Sequence, residues 1–156
     1  MIIWVDSDSC PRQIRQIIFR ASIRVEIKTV FVANTAIPNV ENEWSSMQIV
    51  PSGEGEADKF IYKNSKKGDI AITRDIPLAS DLVRGGLLVL DDRGNVFTVD
   101  NIGERLSMRN AMTELRSYGV KSKSTGSMSN RDVQQFANAF DRELRTWQNN
   151  QESIKS

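Results

Sequence analysis

Apolar positions along the chain come in blocks whose period switches between two values. Ile2-Ile3-Trp4-Val5 is short, continuous and β-branched, which predicts a strand buried on both faces. Val25–Val32 and Asp69–Thr73 (Asp-Ile-Ala-Ile-Thr) read the same way, and Met47–Val50 and Leu87–Leu90 as shorter strands. After the turn Arg93-Gly94-Asn95, Val96–Thr98 returns as a short antiparallel strand. Between these runs the period becomes helical. Ile14, Ile17, Ile18 and Ala21 fall at i, i+3, i+4 and i+7, predicting a helix over Pro11–Ser22 with Arg12, Arg15 and Gln16 outward; Ser9 or Asp8 can cap it. Glu56–Ser65 is a second helix, with Phe60 and Ile61 inward and Gly68 past its end. Pro77 opens a third, burying Leu78, Ala79, Leu82 and Val83 and stopping at Gly85-Gly86. Asp100–Tyr118 is a fourth. Ser129 caps a last helix striped by Val133, Phe136, Ala137, Phe140, Leu144 and Trp147. Asn34–Ser46 reads as a long polar loop, Lys121–Met128 as a mobile polar segment, and Gln148–Ser156 as a frayed tail.

Strands alternating with helices predict a three-layer α/β/α fold. Its central sheet is mainly parallel, of about five strands with the first one central. The 156 residues suffice for one domain with a full core, placed at 1–148 with a tail at 149–156. Composition is that of an ordinary globular protein, 39% hydrophobic and 26% charged. No apolar run approaches the roughly 20 residues that span a bilayer. The short N-terminal run has no basic region ahead of it, unlike a signal peptide. A single cysteine cannot form an internal disulfide, which suits a reducing cytoplasm. These features predict a cytoplasmic protein without membrane contact.

Two counts narrow the chemistry. The net charge of +1 gives no general affinity for nucleic acid, so any basic surface is local. Histidine is absent, which excludes Ser-His-Asp and Cys-His mechanisms, His-Glu zinc sites and imidazole general bases. Reactive groups must come from carboxylates, a bound cation, Lys, Ser, Thr, Tyr or Cys10. Carboxylates gather where the strands end. Asp6 and Asp8 follow the first strand, Asp75 follows Asp69–Thr73, and Asp91-Asp92 follows Leu87–Leu90. Asp58 opens the second helix. In open α/β sheets the carboxyl edge of the strands is where ligands bind. Converging carboxylates repel unless a cation joins them, and oxygen donors of this kind suit Mg²⁺ or Mn²⁺. One or two such ions can activate water and stabilise in-line attack on phosphorus. Each acid also has a plainer reading, since Asp8, Asp58 and Asp75 can cap helices and Asp91-Asp92 can open a turn.

Longer motifs go further. These are Asp6-Ser7-Asp8-Ser9-Cys10-Pro11, Gly53 to Ala57-Asp58, Thr73-Arg74-Asp75-Ile76-Pro77-Leu78-Ala79 and Arg93-Gly94. Asn101-Ile102, Glu104-Arg105-Leu106-Ser107-Met108-Arg109, Arg131-Asp132 and Phe136-Ala137-Asn138 extend the series. Over about residues 1–147 the chain resembles the YaiI/YqxD family of bacterial proteins, which in turn resembles PIN-like nucleases. The resemblance implies a PIN-like domain. It implies a metal-binding core of Asp6, Asp58 and Asp75 with Asp8 beside them as catalytic acids, and a metal-dependent phosphodiesterase using Mg or Mn to cleave RNA or DNA. The chain departs from the family pattern at Gly55, where an acid is usual; Glu54 and Glu56 flank it.

Arg105, Arg109 and Arg116 share one helix face, and Arg131, Asn138, Arg142 and Arg145 share the outer face of the last helix. The alternatives are a solvated face or phosphate contact; Arg109, Arg131 and Asn138 lie in family-like segments and rank first as substrate-binding residues. Lys121 and Lys123 could close over a bound strand. Cys10 sits at a helix start, where a thiolate is stabilised, but the position six residues on is Gln16 rather than the Arg of a tyrosine-phosphatase loop. Two other readings stand beside the nuclease. One is a haloacid-dehalogenase-like phosphatase, with Asp6 as nucleophile, Asp8 as acid and Asp91-Asp92 as metal ligands. The other is a non-catalytic PIN-like module that binds nucleic acid or protein.

Overall fold

A computed structural model describes residues 1–119 and 128–155; Lys121 and Lys123 lie outside the described residues. In chain order the elements are β1 (Ile2–Asp6), α1 (Arg12–Val25), β2 (Lys28–Ala33), β3 (Ser45–Ile49), α2 (Glu56–Asn64) and β4 (Ile70–Ile72). They continue with α3 (Ile76–Arg84), β5 (Leu88–Leu90), β6 (Val96–Phe97), α4 (Val99–Ser117) and α5 (Asn130–Lys155). The strands form one six-stranded sheet in the order β3-β2-β1-β4-β5-β6. All neighbours are parallel except β5 and β6. β1 lies inside the sheet, flanked by β2 and β4, with Trp4 opposite both Val30 and Ala71.

The period of two in β1 divides the core into its two faces. Ile3 and Val5 pack with Ile14 and Ile18 of α1 and Phe136, Phe140 and Leu144 of α5. Trp4 packs on the opposite side with Ile61 of α2, Leu78, Ala79 and Leu82 of α3, and Ile102 of α4. The result is the three-layer α/β/α arrangement predicted from the run pattern.

Several boundaries differ from the sequence reading. α1 runs on to Val25 and ends where Glu26 turns left-handed (φ 54°), so β2 begins at Lys28 rather than Val25. Pro11, not Ser9 or Asp8, is its N-cap, with no side-chain cap bond. α4 starts at a reciprocal cap in which Thr98 and Asn101 each bond the other's backbone. α5 continues to Lys155, where the sequence reading has a frayed tail from 148.

Two contacts fix the ends of the sheet. At the edge holding the strand N-termini, the buried Asp69 carboxylate accepts from the Ile2 amide (3.0 Å), the Trp4 indole N–H (3.0 Å) and the Lys66 amide (2.9 Å). Beyond β5, Gly94 turns the chain at φ +86°, and a Cβ there would meet the Gln135 carbonyl oxygen at 2.8 Å. Glycine lets this turn lie directly on the α5 backbone. Arg93 Nε lies 3.9 Å from Asp132, so the motif Arg93-Gly94 and the motif Arg131-Asp132 meet in one contact.

Candidate active site

Because β1, β2 and β4 are parallel, their C-terminal ends share one edge of the sheet. Asp6 is the last residue of β1, Asp75 is the N-cap of α3 shortly after β4, and Asp58 is in the first turn of α2. With Asp8, these acids line one cleft of about 210 Å³, together with Ser9, Asn34 and Gly55. Three chain segments therefore deliver four carboxylates to one open depression.

Each acid is held by a definite contact. The buried Thr73 hydroxyl donates to Asp6 Oδ2 at 2.9 Å and accepts from the Asp75 amide at 3.0 Å. One hydroxyl thus ties the β1 acid to the turn that carries the α3 acid. Asp75 Oδ1 accepts from the Leu78 amide at 2.9 Å, so Asp75 caps α3 while lining the cleft. Asp8 spans to the next strand, accepting from the Asn34 amide at 3.2 and 3.1 Å. Asp58 caps nothing, because the N-cap of α2 is Gly55, left-handed at φ 79° with no side chain to offer.

The electrostatics follow from this crowding. Burial pushes the Asp58 carboxyl up to about 7, and a hydrogen bond shared with Asp75, then the charges of Asp75 and Asp6, add to the rise. Burial also raises Asp6; the Thr73 hydroxyl opposes it, and the charges of Asp75 and Asp8 reinforce it. The donor set is all oxygen, the class that Mg²⁺ and Mn²⁺ take. Among the described residues no three Asp, Glu, Cys or His side chains are already closed around a common point. Asp58 and Asp75, with Asp6 beside them, are the residues that would hold such a cation.

The remaining sequence candidates fall elsewhere. Arg109, Arg131 and Asn138 are exposed and do not line the cleft. Arg109 donates to Asn110 at 3.2 Å, and Asn138 accepts from Gln134 at 2.8 Å. Asp91 accepts from the Arg93 and Asn95 amides and the Asn95 side chain, which closes the β5–β6 turn. Asp92 is buried and ion-paired with Arg74. Cys10 is buried and its thiol is pushed up to about 12, first by desolvation. The helix start does not yield a thiolate here.

Sequence reasoning missed two features. Along the sequence Thr73 reads only as the end of a strand, although a hydroxyl two residues before Asp75 is placed to bond its amide. A second cavity of about 220 Å³ lies where α1 meets the loop after β2, lined by Arg12, Arg15, Gln16, Phe19, Pro38 and Asn39. The loop after β2 also supplies Asn34 to the acidic cleft, and α1 begins three residues after Ser9. The helical spacing of Ile14 to Ala21 marks Arg12 and Arg15 as outward-facing and gives no sign that a loop folds over them.

Comparison with known proteins now places the chain. A family profile described as "Uncharacterized BCR, YaiI/YqxD family" matches residues 4–146. The chain belongs to the YaiI/YqxD family. It is 50% identical over 144 residues to a UPF0178 protein of Myxococcus xanthus, covering 92% of this chain and 94% of the relative. To a UPF0178 protein of Treponema denticola it is 47% identical over 141 residues, covering 90% of each, and to one of Treponema pallidum 41% over 143 residues, covering 92% and 81%. No solved structure matches the chain. The YaiI/YqxD match spans every segment that contributes an acid to the cleft. Among the described residues no helix is long and apolar enough to cross a membrane.

Proposed function

We propose that this YaiI/YqxD protein is a metal-dependent phosphodiesterase that cleaves RNA or DNA, with Asp6, Asp58 and Asp75 as ligands for one or two Mg²⁺ or Mn²⁺ ions and Asp8 beside them. The observation that carries this reading is the convergence of Asp6, Asp8, Asp58 and Asp75 on one open cleft. Asp75 helps hold the neighbouring Asp58 carboxyl above its ordinary range, and among the described residues no cationic side chain lines the cleft to balance the acids. When bound, the ion supplies charge neutralisation and water activation near neutral pH. The residues supply the rest. Thr73 orients Asp6 and fixes the turn of Asp75, the α3 cap holds the Asp75 carboxylate, and Asp8 locks the β1 end to the β2 end. With histidine absent, protons leave through carboxylates and solvent. Phosphates flanking the scissile bond find their cations in Arg12 and Arg15. Contact with Arg109, Arg131 or Asn138 requires a polymer that extends past the cleft.

The test compares wild type with Asp6→Asn on single-stranded RNA and DNA, with and without Mn²⁺. Cleavage should need the metal, stop with EDTA, rise with pH, and fall at least a hundredfold in Asp6→Asn without loss of fold; a thousandfold loss is about 4 kcal/mol of barrier. Cys10→Ser should change it little. Equal cleavage by both proteins would point to a contaminant. A second reading is a binding module without cleavage, its site weakened where Gly55 offers no carboxylate. Absence of both cleavage and metal binding by calorimetry would select it.

A further inference from the structure

α4 divides into two unlike halves. Near its start, Ile102 is buried and Leu106 half-buried, and this face docks on α3. From Ser107 to Gly119 every residue is exposed. That stretch nevertheless carries Met108 (59% exposed), Met112 (43%) and Leu115 (45%) at i, i+4 and i+7, one apolar stripe. At 100° per residue the stripe lies about 130° round the helix from Ile102 and Leu106, facing away from the body. An isolated helix of this length is marginal in water, and its stability comes from packing an apolar face. Among the described residues nothing packs on this one.

The charges beside the stripe select its occupant. With Met108 and Leu115 at d and Met112 at a, Arg105 takes the preceding a, Glu104, Ala111 and Tyr118 take g, and Arg109 and Arg116 take e. In a parallel pair of identical helices, g meets the partner's e five residues on. Glu104 then faces the partner's Arg109, twice by symmetry, and Ala111 leaves room for the partner's Arg116. In an antiparallel pair e meets e and g meets g, which sets the arginines against arginines and Glu104 against Glu104. We infer that the exposed half of α4 is a dimer interface, pairing in parallel with α4 of a second copy. Arg105 at a extends its guanidinium to solvent past the seam. The contact spans about two heptads, so it falls at the small end of stable interfaces, and the dimer dissociates on dilution. The outward direction of the stripe leaves the two bodies on opposite sides of the pair.

Light scattering across a concentration series tests this. Wild type should pass from monomer to dimer. Met112→Glu, at an exposed position outside the core, should keep the monomer folded by circular dichroism and be monomeric throughout. Glu104→Arg or Arg109→Glu alone should weaken the dimer at least tenfold, and the double variant, which restores complementarity only in the parallel arrangement, should recover it. Leu115→Cys should form a reducible covalent dimer. A wild type that stays monomeric, a dimer that survives Met112→Glu, or a double variant no better than the singles would overturn the inference. A monomer that binds anionic lipid vesicles only when Met112 is intact would overturn it too, assigning the stripe to a membrane surface.

Discussion

Asp58 shows what a single residue in the cleft does for stability. Burial and the neighbouring Asp75 raise its carboxyl from the ordinary 3.8 to about 7. Between those values the folded chain holds a proton that the unfolded chain has released. Stability therefore falls as pH rises from about 4 to about 7, because the unfolded state binds fewer protons in that window. Asp58→Asn should flatten this decline, and the urea midpoint of the variant should exceed that of wild type at pH 8 but not at pH 4. An unchanged pH profile would show that Asp58 is not crowded by Asp75 in solution. Mn²⁺ should compete with the proton, so its binding at pH 6 should release protons, seen as a calorimetric heat that depends on the buffer. Gly55→Asp probes the same place from the other side. Its Cβ meets nothing within 4 Å, and aspartate is among the residues that tolerate φ 79°, so the added carboxylate should tighten Mn²⁺ binding. An unchanged affinity would mean that position 55 does not reach the ion.

At the scale of elements, the strands and helices were legible because their periods differ and each run is long or uninterrupted. Ile2–Val5, the Ile14 to Ala21 face and the Phe136 to Leu144 stripe all became core as the pattern implied. The edge at which acids collect was legible for the same reason, since parallel strands put their C-terminal ends together. Three things were not. The end of α1 at Val25 depends on Glu26 adopting a left-handed conformation, which the apolar run Val25–Val32 conceals. The roles of Asp91 and Asp92 depend on partners in a turn and on Arg74, which no spacing rule displays. The third is Asp69, which reads as the start of a strand and is in fact a buried acceptor for three donors. Asp69→Ala would leave the Trp4 indole N–H and two amides without their acceptor. The cost should be about 3 kcal/mol, read as a lower urea midpoint. Because Asp69 lies at the edge opposite the cleft, Mn²⁺ affinity of the folded variant should match wild type, and a loss of metal binding would contradict the separation of the two ends.

At the scale of the molecule, a net charge of +1 is a poor predictor of nucleic-acid contact, because the balance is uneven over the surface. The cleft gathers Asp6, Asp8, Asp58 and Asp75, and the cavity beside α1 gathers Arg12 and Arg15 with the ring of Phe19. Neither arginine is in an ion pair among the described residues, and Arg15 spends one N–H on the Cys10 carbonyl at 2.8 Å. A phosphodiester chain crossing the acidic edge needs cations close by, since the acids alone repel it in the absence of metal. Arg12 and Arg15 lie on the first turns of α1, which begins three residues after Ser9 of the cleft, whereas Arg131 and Asn138 stand on α5, which packs on the same face of the sheet as α1 but supplies no residue to the cleft. Affinity for single-stranded RNA, measured by fluorescence anisotropy in an Asp6→Asn background with Mn²⁺ present, should therefore fall roughly tenfold in Arg12→Ala/Arg15→Ala. The dependence of log affinity on log salt should become shallower by about 0.7 for each phosphate contact removed. Arg131→Ala/Asn138→Ala should change both quantities less. If the α5 pair carries the larger loss and the Arg12/Arg15 pair none, the strand runs across the α5 face, and the cavity beside α1 has no part in holding it.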